Sequence, residues 1–339
     1  MRRLAVALSL LFACEDDTKT NPVDAGATDA GADAVSFDAG DGAAAVVPKG
    51  ARTLGVAIAI DRADFPEQAH AIADAGARST NVSFPWDDVE IPYDGGTALS
   101  QPGLHIAGLI SYNEQLKPTL AIPVVDAKGP HLPVDLVGRP LDDTDVRTRY
   151  AAAIDYGLAQ LSDVDVGTFL VATDTDVALG TDTAQWTAFA TFVDAAVKHS
   201  HVVKAGIRAG FVVTSSALRA MPEVIKAALA ASDIVAVTHV GDVDADLDSV
   251  IAAAPPGKPV VVYAIGRPSG GGDQAKQAAF VGDVFASWDR HVDRIPSLTF
   301  FELDDAPDRD TTFGLRKSQD GKTKPAFGAL VSAARARGF

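Results

Sequence analysis

Acidic and aromatic side chains recur at one kind of place in this sequence, directly after short apolar runs. Carboxylates accept hydrogen bonds from hydroxyl groups, and a flat aromatic ring packs against the apolar face of a sugar ring. This combination of residue types is suited to binding a carbohydrate. The residues in such positions are Asp61, Arg62, Trp86, Asp87, Asp126, Asp174, Asp176, Thr214, His239, Ala264, Arg267, Glu302, Asp304 and Asp305.

A second interpretation of each single aspartate stays open, because Asp is also preferred at helix N-termini and in turns. His239 fits a hydrogen-bond donor in a pocket or, less simply, a metal ligand. The sequence contains no HExxH motif, no phosphate-binding glycine-rich loop and no nucleophile elbow. We therefore expect no cofactor and no metal.

Apolar runs that alternate with amphipathic stretches must position these residues. In the clearest unit, the apolar run Val260–Tyr263 is followed by a glycine-rich loop and then by a helical stripe that includes Phe280, Val284 and Trp288. Eight such runs predict strands at Leu54–Ile60, Thr80–Phe84, Thr119–Val125, Thr168–Ala172, Ala205–Val213, Ile234–Val240, Val260–Tyr263 and Ser297–Leu303.

Eight strand–helix units within residues 51–339 predict an α/β fold, a single (β/α)8 TIM barrel. A doubly wound open sheet is the alternative, but no glycine-rich phosphate turn follows the first strand. In a barrel the C-terminal ends of all strands share one rim. The residues that follow the strands are thereby predicted to be neighbours in space.

The N-terminal segment predicts export and a lipid anchor. Arg2 and Arg3 precede the apolar run Leu4–Ala13, and Cys14 is the only cysteine of the chain. Residues 1–14 therefore read as a signal peptide with a lipoprotein cleavage box, which leaves Cys14 acylated at a bacterial cell-envelope membrane. An ordinary leader with an incidental cysteine is the alternative. Residues 15–50 are rich in Asp, Ala and Gly, a composition that predicts a disordered tether.

The formal net charge of −16 narrows the range of partners. Such a surface repels nucleic acids, and anionic polymers are poor ligands for the same reason. A carbohydrate is the partner that the residues at the strand ends favour, with the membrane as the site of the lipid anchor. No particular protein partner is indicated.

Five stretches resemble retaining glycoside hydrolases with (β/α)8 barrels, and the endo-galactanase-like members are the most similar in character. The resemblance covers nearly the whole predicted barrel. The stretches are FPWDDVE at Phe84–Glu90, FLVATDTDVAL at Phe169–Leu179, VVYAIGRPSG at Val261–Gly270, SLTFFELDD at Ser297–Asp305 and FGLRKSQDGKTKPAF at Phe313–Phe327.

The resemblance implies that both catalytic positions are substituted. Members of this superfamily end the fourth strand with Asn-Glu, where the Glu is the acid/base, and place a nucleophilic Glu near the end of the seventh strand. This chain has Thr173-Asp174 and Ala264 at those positions. Retaining hydrolysis needs two carboxyl groups about 5–5.5 Å apart, and alanine supplies none. The resemblance therefore implies a catalytically degenerate barrel, a pseudoenzyme that binds a carbohydrate or a partner.

Two alternatives remain open. Asp174 as acid and Glu302 as base would support an inverting hydrolase, since that mechanism tolerates a separation of about 6.5–9.5 Å. The barrel could also be purely structural, with no ligand. If a ligand is bound, the residues predicted to contact it are Trp86, Asp87, Asp126, Asp176, His239 and Arg267.

Overall fold

Eight parallel strands form a closed barrel in the computed structural model, which describes residues 46–60, 62–241, 243–270, 273–305, 312–317 and 322–339. The strands are Thr53–Val56, Asn81–Ser83, Thr119–Ala121, Thr168–Leu170, Arg208–Gly210 continuing as Val212–Thr214, Val235–Val240, Val260–Gly266 and Ser297–Phe300. This confirms the predicted (β/α)8 architecture, and each strand overlaps one predicted run.

The pairing of the strands runs once around the barrel. The first part of the fifth strand pairs with the fourth strand, and its second part pairs with the sixth. The eighth strand pairs with the first from Thr53 opposite Ser297, and a bridge between Gly55 and Ser79 joins the first strand to the second. Each described strand of the barrel has a neighbour on both sides. The sheet is therefore closed, unlike the open sheet of the doubly wound alternative.

Helices of the described residues cover the outside of the barrel or extend the loops at its rim. They are Phe65–Asp74, Trp86–Val89, Pro102–Asn113, Thr144–Gln160, Thr175–Leu179, Thr183–Val203, Ser215–Ala220, Pro222–Ala231, Asp248–Ala253, Gln274–Arg290 and Pro325–Arg337. Proline fits the first turn of a helix because its missing N–H has no partner there, and Pro66, Pro102 and Pro222 occupy that turn. None of the helices within the described ranges has the length and apolar character needed to cross a membrane.

The core has two layers because successive side chains of a strand point to opposite faces. Small and branched residues such as Ala121, Leu170 and Ala236 fill the barrel interior. Their outward neighbours pack against the helices, including the predicted stripe of Phe280, Val284 and Trp288 on Gln274–Arg290.

Two antiparallel hairpins project from the rim at which the strands end. One pairs Glu90–Tyr93 with Gly96–Leu99 and follows the second strand. The other pairs Val125–Asp126 with Gly129–Pro130 and follows the third strand. The sequence predicts only a polar excursion for the first of them, because the region 85–102 is rich in Pro, Gly and Asp.

At the base of the barrel, where the strands begin, one buried carboxylate pairs with two arginines. Asp289 pairs with Arg52 at 2.9 Å and with Arg337 at 2.7 Å, and all three side chains are buried. The Arg52 guanidinium lies over the Trp288 ring at 4.8 Å, and Phe339 stacks on the same ring. The first and last segments of the described chain are thereby joined at the base.

Candidate functional site

Ala264 faces the interior of the barrel. Its neighbour Ile265 packs in the outer layer, so alternation along the strand directs the Ala264 methyl group inward. Ala264 is opposite Thr238 of the sixth strand and is only 3% exposed. The inner position near the end of the seventh strand is therefore filled by a methyl group, which offers neither a nucleophile nor a proton.

A bulge in the seventh strand places Tyr263 in the barrel interior beside Ala264. Val237 is opposite Val262, and Thr238 is opposite Ala264, so Tyr263 is the extra residue of the bulge. Its backbone oxygen accepts a hydrogen bond of 2.9 Å from the Asn81 side chain. Burial raises the pKa of the Tyr263 hydroxyl, which keeps it protonated as a hydrogen-bond donor. The apolar run predicts Tyr263 as the last residue of the strand, so its place at the site is seen only in the structure.

Asp174 lies at the end of the fourth strand in a left-handed backbone conformation, with φ of 45°. Burial raises the pKa of its carboxyl group, a hydrogen bond from Thr238 lowers it in part, and the nearby carboxylates of Asp176 and Asp126 raise it further. Its Oδ1 atom is buried and has no hydrogen-bond partner among the described residues. Asp174 is thus linked to the same threonine that lies opposite Ala264.

Asp176 is held by the end of the fifth strand. Its Oδ1 accepts a hydrogen bond from the backbone N–H of Thr214, and its Oδ2 accepts one from the Thr214 hydroxyl, both at 2.7 Å. The Thr214 hydroxyl also caps the helix Ser215–Ala220. Both oxygens of Asp176 therefore already have partners within the protein.

His131 joins two of the predicted aspartates. Its Nε2 lies 2.9 Å from Oδ1 of Asp126, and its Nδ1 lies 3.1 Å from Oδ1 of Asp87. The turn at Gly129 folds the chain back and brings the imidazole to Asp126, five residues earlier in sequence. His131 does not directly follow a predicted strand, although the Asp-x-x-Gly turn before it is a recognisable signal for such a return.

Trp86 is fully buried, contrary to the prediction that its ring lines the cleft. The short helix Trp86–Val89 turns the indole inward, where it packs edge-on against Tyr150 at 5.0 Å between ring centroids. Its Nε1 donates a hydrogen bond of 3.0 Å to Glu90. No face of this ring is available for stacking on a sugar.

His239 is also buried, on the helix side of the sixth strand. Its Nδ1 lies 2.7 Å from the Ser215 hydroxyl, and its Nε2 lies 2.7 Å from the backbone oxygen of Asp244. Burial lowers the pKa of this imidazole, which favours the neutral form. The structure thus places His239 between elements of the scaffold and not in the barrel mouth.

Arg267 and Glu302 border a small cavity at the end of the barrel strands. This cavity lies between the ends of the seventh and eighth strands and the helix Gln274–Arg290, and Gln277 and Phe280 of that helix also line it. Asp304 pairs with Arg316 nearby, and Asp305 pairs with the buried Lys324. The carboxylates that act on the pKa of Asp174 are those of Asp176 and Asp126.

Two predicted residues, Cys14 and Asp61, lie outside the described residues. Within the described part of the chain, no group of three or more His, Cys, Asp and Glu side chains has an arrangement that could hold a metal ion.

The barrel mouth therefore combines acceptors, donors and one desolvated acid. Asp126 offers a carboxylate to hydroxyl groups, Tyr263 carries a hydroxyl donor, the Thr238 hydroxyl donates to Asp174, and Asp174 is shifted toward its protonated form. This arrangement can bind a polyhydroxylated ligand. It lacks the inward carboxylate on the seventh strand that would complete a retaining pair.

The fold is shared with several glycoside hydrolases. A GH5_18 variant from Bifidobacterium longum subsp. longum, solved in complex with Manb1-4GlcNAc, matches with a TM-score of 0.67 and 13% identity over 84% of this chain and 78% of that chain. A family 39 glycoside hydrolase from Bacteroides cellulosilyticus matches with a TM-score of 0.65 and 15% identity, covering 85% of this chain and 64% of that chain.

A third match is the intracellular xylanase TsXylA from Thermoanaerobacterium saccharolyticum in complex with xylotriose, with a TM-score of 0.60 and 14% identity over 82% of this chain and 95% of that chain. No protein-family model and no curated protein matches the sequence. At these identities the likeness is one of fold. The chain has the (β/α)8 fold of glycoside hydrolases, which confirms the structural side of the predicted resemblance.

Proposed function

We propose that this chain is an exported, lipid-anchored barrel of the glycoside hydrolase type that binds a carbohydrate at its mouth and does not hydrolyse it. The inward position of Ala264, opposite the threonine that bonds to Asp174, is the observation that carries this proposal. A methyl group there cannot form the glycosyl–enzyme bond, and Asp174 supplies only one of the two carboxyl groups that retaining hydrolysis needs.

Carbohydrate binding is supported by the chemistry of the mouth and by the fold. Solved proteins of the same fold hold Manb1-4GlcNAc or xylotriose. In this chain the carboxylate of Asp126 offers an acceptor and the hydroxyl group of Tyr263 a donor of the kind that sugar hydroxyls use. The net charge of −16 favours neutral glycans over anionic ones.

Export and the lipid anchor rest on the sequence pattern Arg2-Arg3, Leu4–Ala13 and Cys14. The test is metabolic labelling with a fatty-acid analogue in a bacterial host that processes lipoproteins. Wild type should take up the label and sediment with membranes, and Cys14→Ser should do neither. Label on the Cys14→Ser variant would rule out acylation at this residue.

A screen for binding and turnover tests the function of the barrel. Neutral polysaccharides and aryl glycosides are offered to the wild type and to Asp174→Asn. We expect binding of at least one neutral glycan and no release of product above the buffer rate. Product that disappears in Asp174→Asn would overturn the proposal that the barrel is inactive.

An active hydrolase of altered mechanism is the second candidate, and the raised pKa of Asp174 favours it because a general acid must be protonated. The sequence pairs Asp174 with Glu302 as base, whereas the carboxylates that interact with Asp174 belong to Asp126 and Asp176. The same screen should therefore include Glu302→Gln and Asp126→Asn. Turnover lost in Asp174→Asn and in one of these two variants identifies the base.

A further inference from the structure

The hairpin of Glu90–Tyr93 and Gly96–Leu99 at the barrel rim has two chemically different faces. Its inner face carries Glu90 and Thr97, which are turned toward the protein. Its outer face carries Ile91 and Tyr93, opposite Ala98 and Gly96 respectively. Because Gly96 has no side chain, nothing on the neighbouring strand covers the Tyr93 ring, and Tyr93 is 68% exposed.

The inner face fixes the hairpin through one buried carboxylate. Glu90 accepts hydrogen bonds from Trp86 Nε1 at 3.0 Å, from the Thr97 hydroxyl at 2.6 Å and from Arg149. Arg149 also pairs with Asp135 in the segment after the third strand. Because Glu90 is buried and accepts several hydrogen bonds, it holds the hairpin in one position, so the exposed ring is presented on a rigid support.

Exposed aromatic rings are scarce in the described part of the chain. All three tryptophans are buried, and the exposed tyrosines there are Tyr93 and Tyr112. Tyr112 lies near the C-terminal end of the helix Pro102–Asn113, which leads toward the base of the barrel. Tyr93 is thus the exposed ring that belongs to a loop of the rim.

The geometry points to Tyr93 as the stacking platform for a neutral glycan, with Trp86 and Glu90 as the groups that hold the platform in place. This inference rests on the proposed function and assigns the aromatic contact of that same site. The hairpin is continuous with the mouth, because Asp87 at its base pairs with His131, which in turn pairs with Asp126. The outer face of Ile91, Tyr93, Gly96 and Ala98 carries no charge, and a pyranose ring presents an equally uncharged apolar face.

Affinity electrophoresis tests the role of Tyr93. The gels contain soluble mannan, xylan, β-glucan or galactan, and polygalacturonate is the anionic comparison. Tyr93→Ala should weaken binding of the retained neutral polysaccharide by about tenfold, since an aromatic contact is worth roughly that factor. Tyr93→Phe keeps the ring and should bind like wild type. Tyr112→Ala removes the other exposed tyrosine and is the matched control, with no change expected.

The outcomes separate the inference from the proposed function. Equal binding by wild type and Tyr93→Ala, or a loss of binding in Tyr112→Ala alone, would overturn the inference that Tyr93 is the stacking platform. Either result would leave the proposal of carbohydrate binding intact. Binding of none of the neutral polysaccharides by wild type would contradict both. Tighter binding of polygalacturonate than of the neutral polysaccharides would contradict the proposal that the ligand is a neutral glycan. Circular dichroism melting of each variant excludes unfolding as the reason for a loss.

Discussion

Asp174 and Asp176 are two residues apart after the fourth strand and have opposite surroundings. Both oxygens of Asp176 accept hydrogen bonds from Thr214, whereas one oxygen of Asp174 is buried with no partner among the described residues. Thr214 therefore supplies hydrogen bonds to both oxygens of one carboxyl group, whereas burial penalises the ionised form of the other. Substitutions at the two positions should have effects of opposite sign.

Asp174→Asn should stabilise the protein near neutral pH. The pKa of Asp174 in the folded protein lies above its ordinary value of 3.8. The contribution of Asp174 to the free energy of unfolding is therefore fully present below pH 3.8, and it is lost as the pH rises through the pKa of the folded protein. The increase in the free energy of unfolding caused by Asp174→Asn should shrink toward zero at acidic pH. Urea denaturation of both proteins across this range measures the effect, and a loss of stability at neutral pH would contradict it.

Asp176→Ala should destabilise the protein by about 1.5–3 kcal/mol, the range for hydrogen bonds to a charged group. The reason is that the N–H and hydroxyl of Thr214 lose their acceptor at the start of the helix Ser215–Ala220. Asp163→Ala, at an exposed turn, serves as the control and should stay within about 0.5 kcal/mol of wild type. Similar losses in the two variants would mean that Asp176 has no special role.

Restoring a retaining pair should require two substitutions. Ala264→Glu supplies an inward carboxyl group, but Asp174 remains one methylene shorter than the glutamate at the matching position of the superfamily that this chain resembles. We expect product from aryl glycosides only with Ala264→Glu and Asp174→Glu together. Release of product by Ala264→Glu alone would show that Asp174 already reaches the leaving-group oxygen.

Gly55→Ala should destabilise the protein by about 1–3 kcal/mol, as expected for overpacking inside a barrel. A methyl group at Gly55 would lie 2.5 Å from the Thr299 hydroxyl oxygen and 3.2 Å from the backbone oxygen of Ser79. Gly282→Ala is the comparison, because Gly282 is an exposed helical residue with nothing within 4 Å of the added methyl group. That variant should be more stable than wild type by about 0.5–1 kcal/mol in thermal or urea unfolding.

Asp289→Ala should lower the free energy of unfolding by about 3–5 kcal/mol, because it leaves two buried guanidinium groups without their carboxylate. Burial raises the pKa of Asp289, but hydrogen bonds from Arg337 and Arg52 outweigh it and hold that pKa below its ordinary value. The contribution of Asp289 is therefore present above the unfolded pKa and is lost as the pH falls through the folded pKa. Unfolding in urea at neutral and acidic pH should show the difference between variant and wild type narrowing in acid.

The strands could be predicted because each is a short, nearly continuous apolar run, which is typical of a parallel sheet covered on both faces. The seventh strand extends to Gly266, three residues past its predicted end, because Ala264 and Ile265 continue the alternation after the bulge. Single-residue bulges leave no signal in hydrophobic periodicity. The orientation of Ala264 is therefore visible only in the structure.

The site was less predictable than the barrel, because position along a strand end does not determine where a side chain points. Trp86 and His239 both follow or end a strand, and both are turned into the scaffold by local helices and hydrogen bonds. His131 lies five residues beyond Asp126 and Tyr263 lies inside a predicted strand, so neither stands where a strand is predicted to be followed by its loop. The hairpin that carries Tyr93 forms within a polar region whose apolar content predicts no strand.

The joining of Arg52, Asp289 and Arg337 also determines how the molecule can be attached to a support. The backbone N–H groups of Val47 and Lys49 donate to Asp289 and Arg337, so the first described residues and the last helix meet at the end of the barrel away from its mouth. Immobilisation through a tag joined to Phe339 would hold the barrel at this end, with the opening turned to bulk solution. A biosensor chip or bead prepared in this way would leave Tyr93 and Asp126 accessible to long polysaccharides.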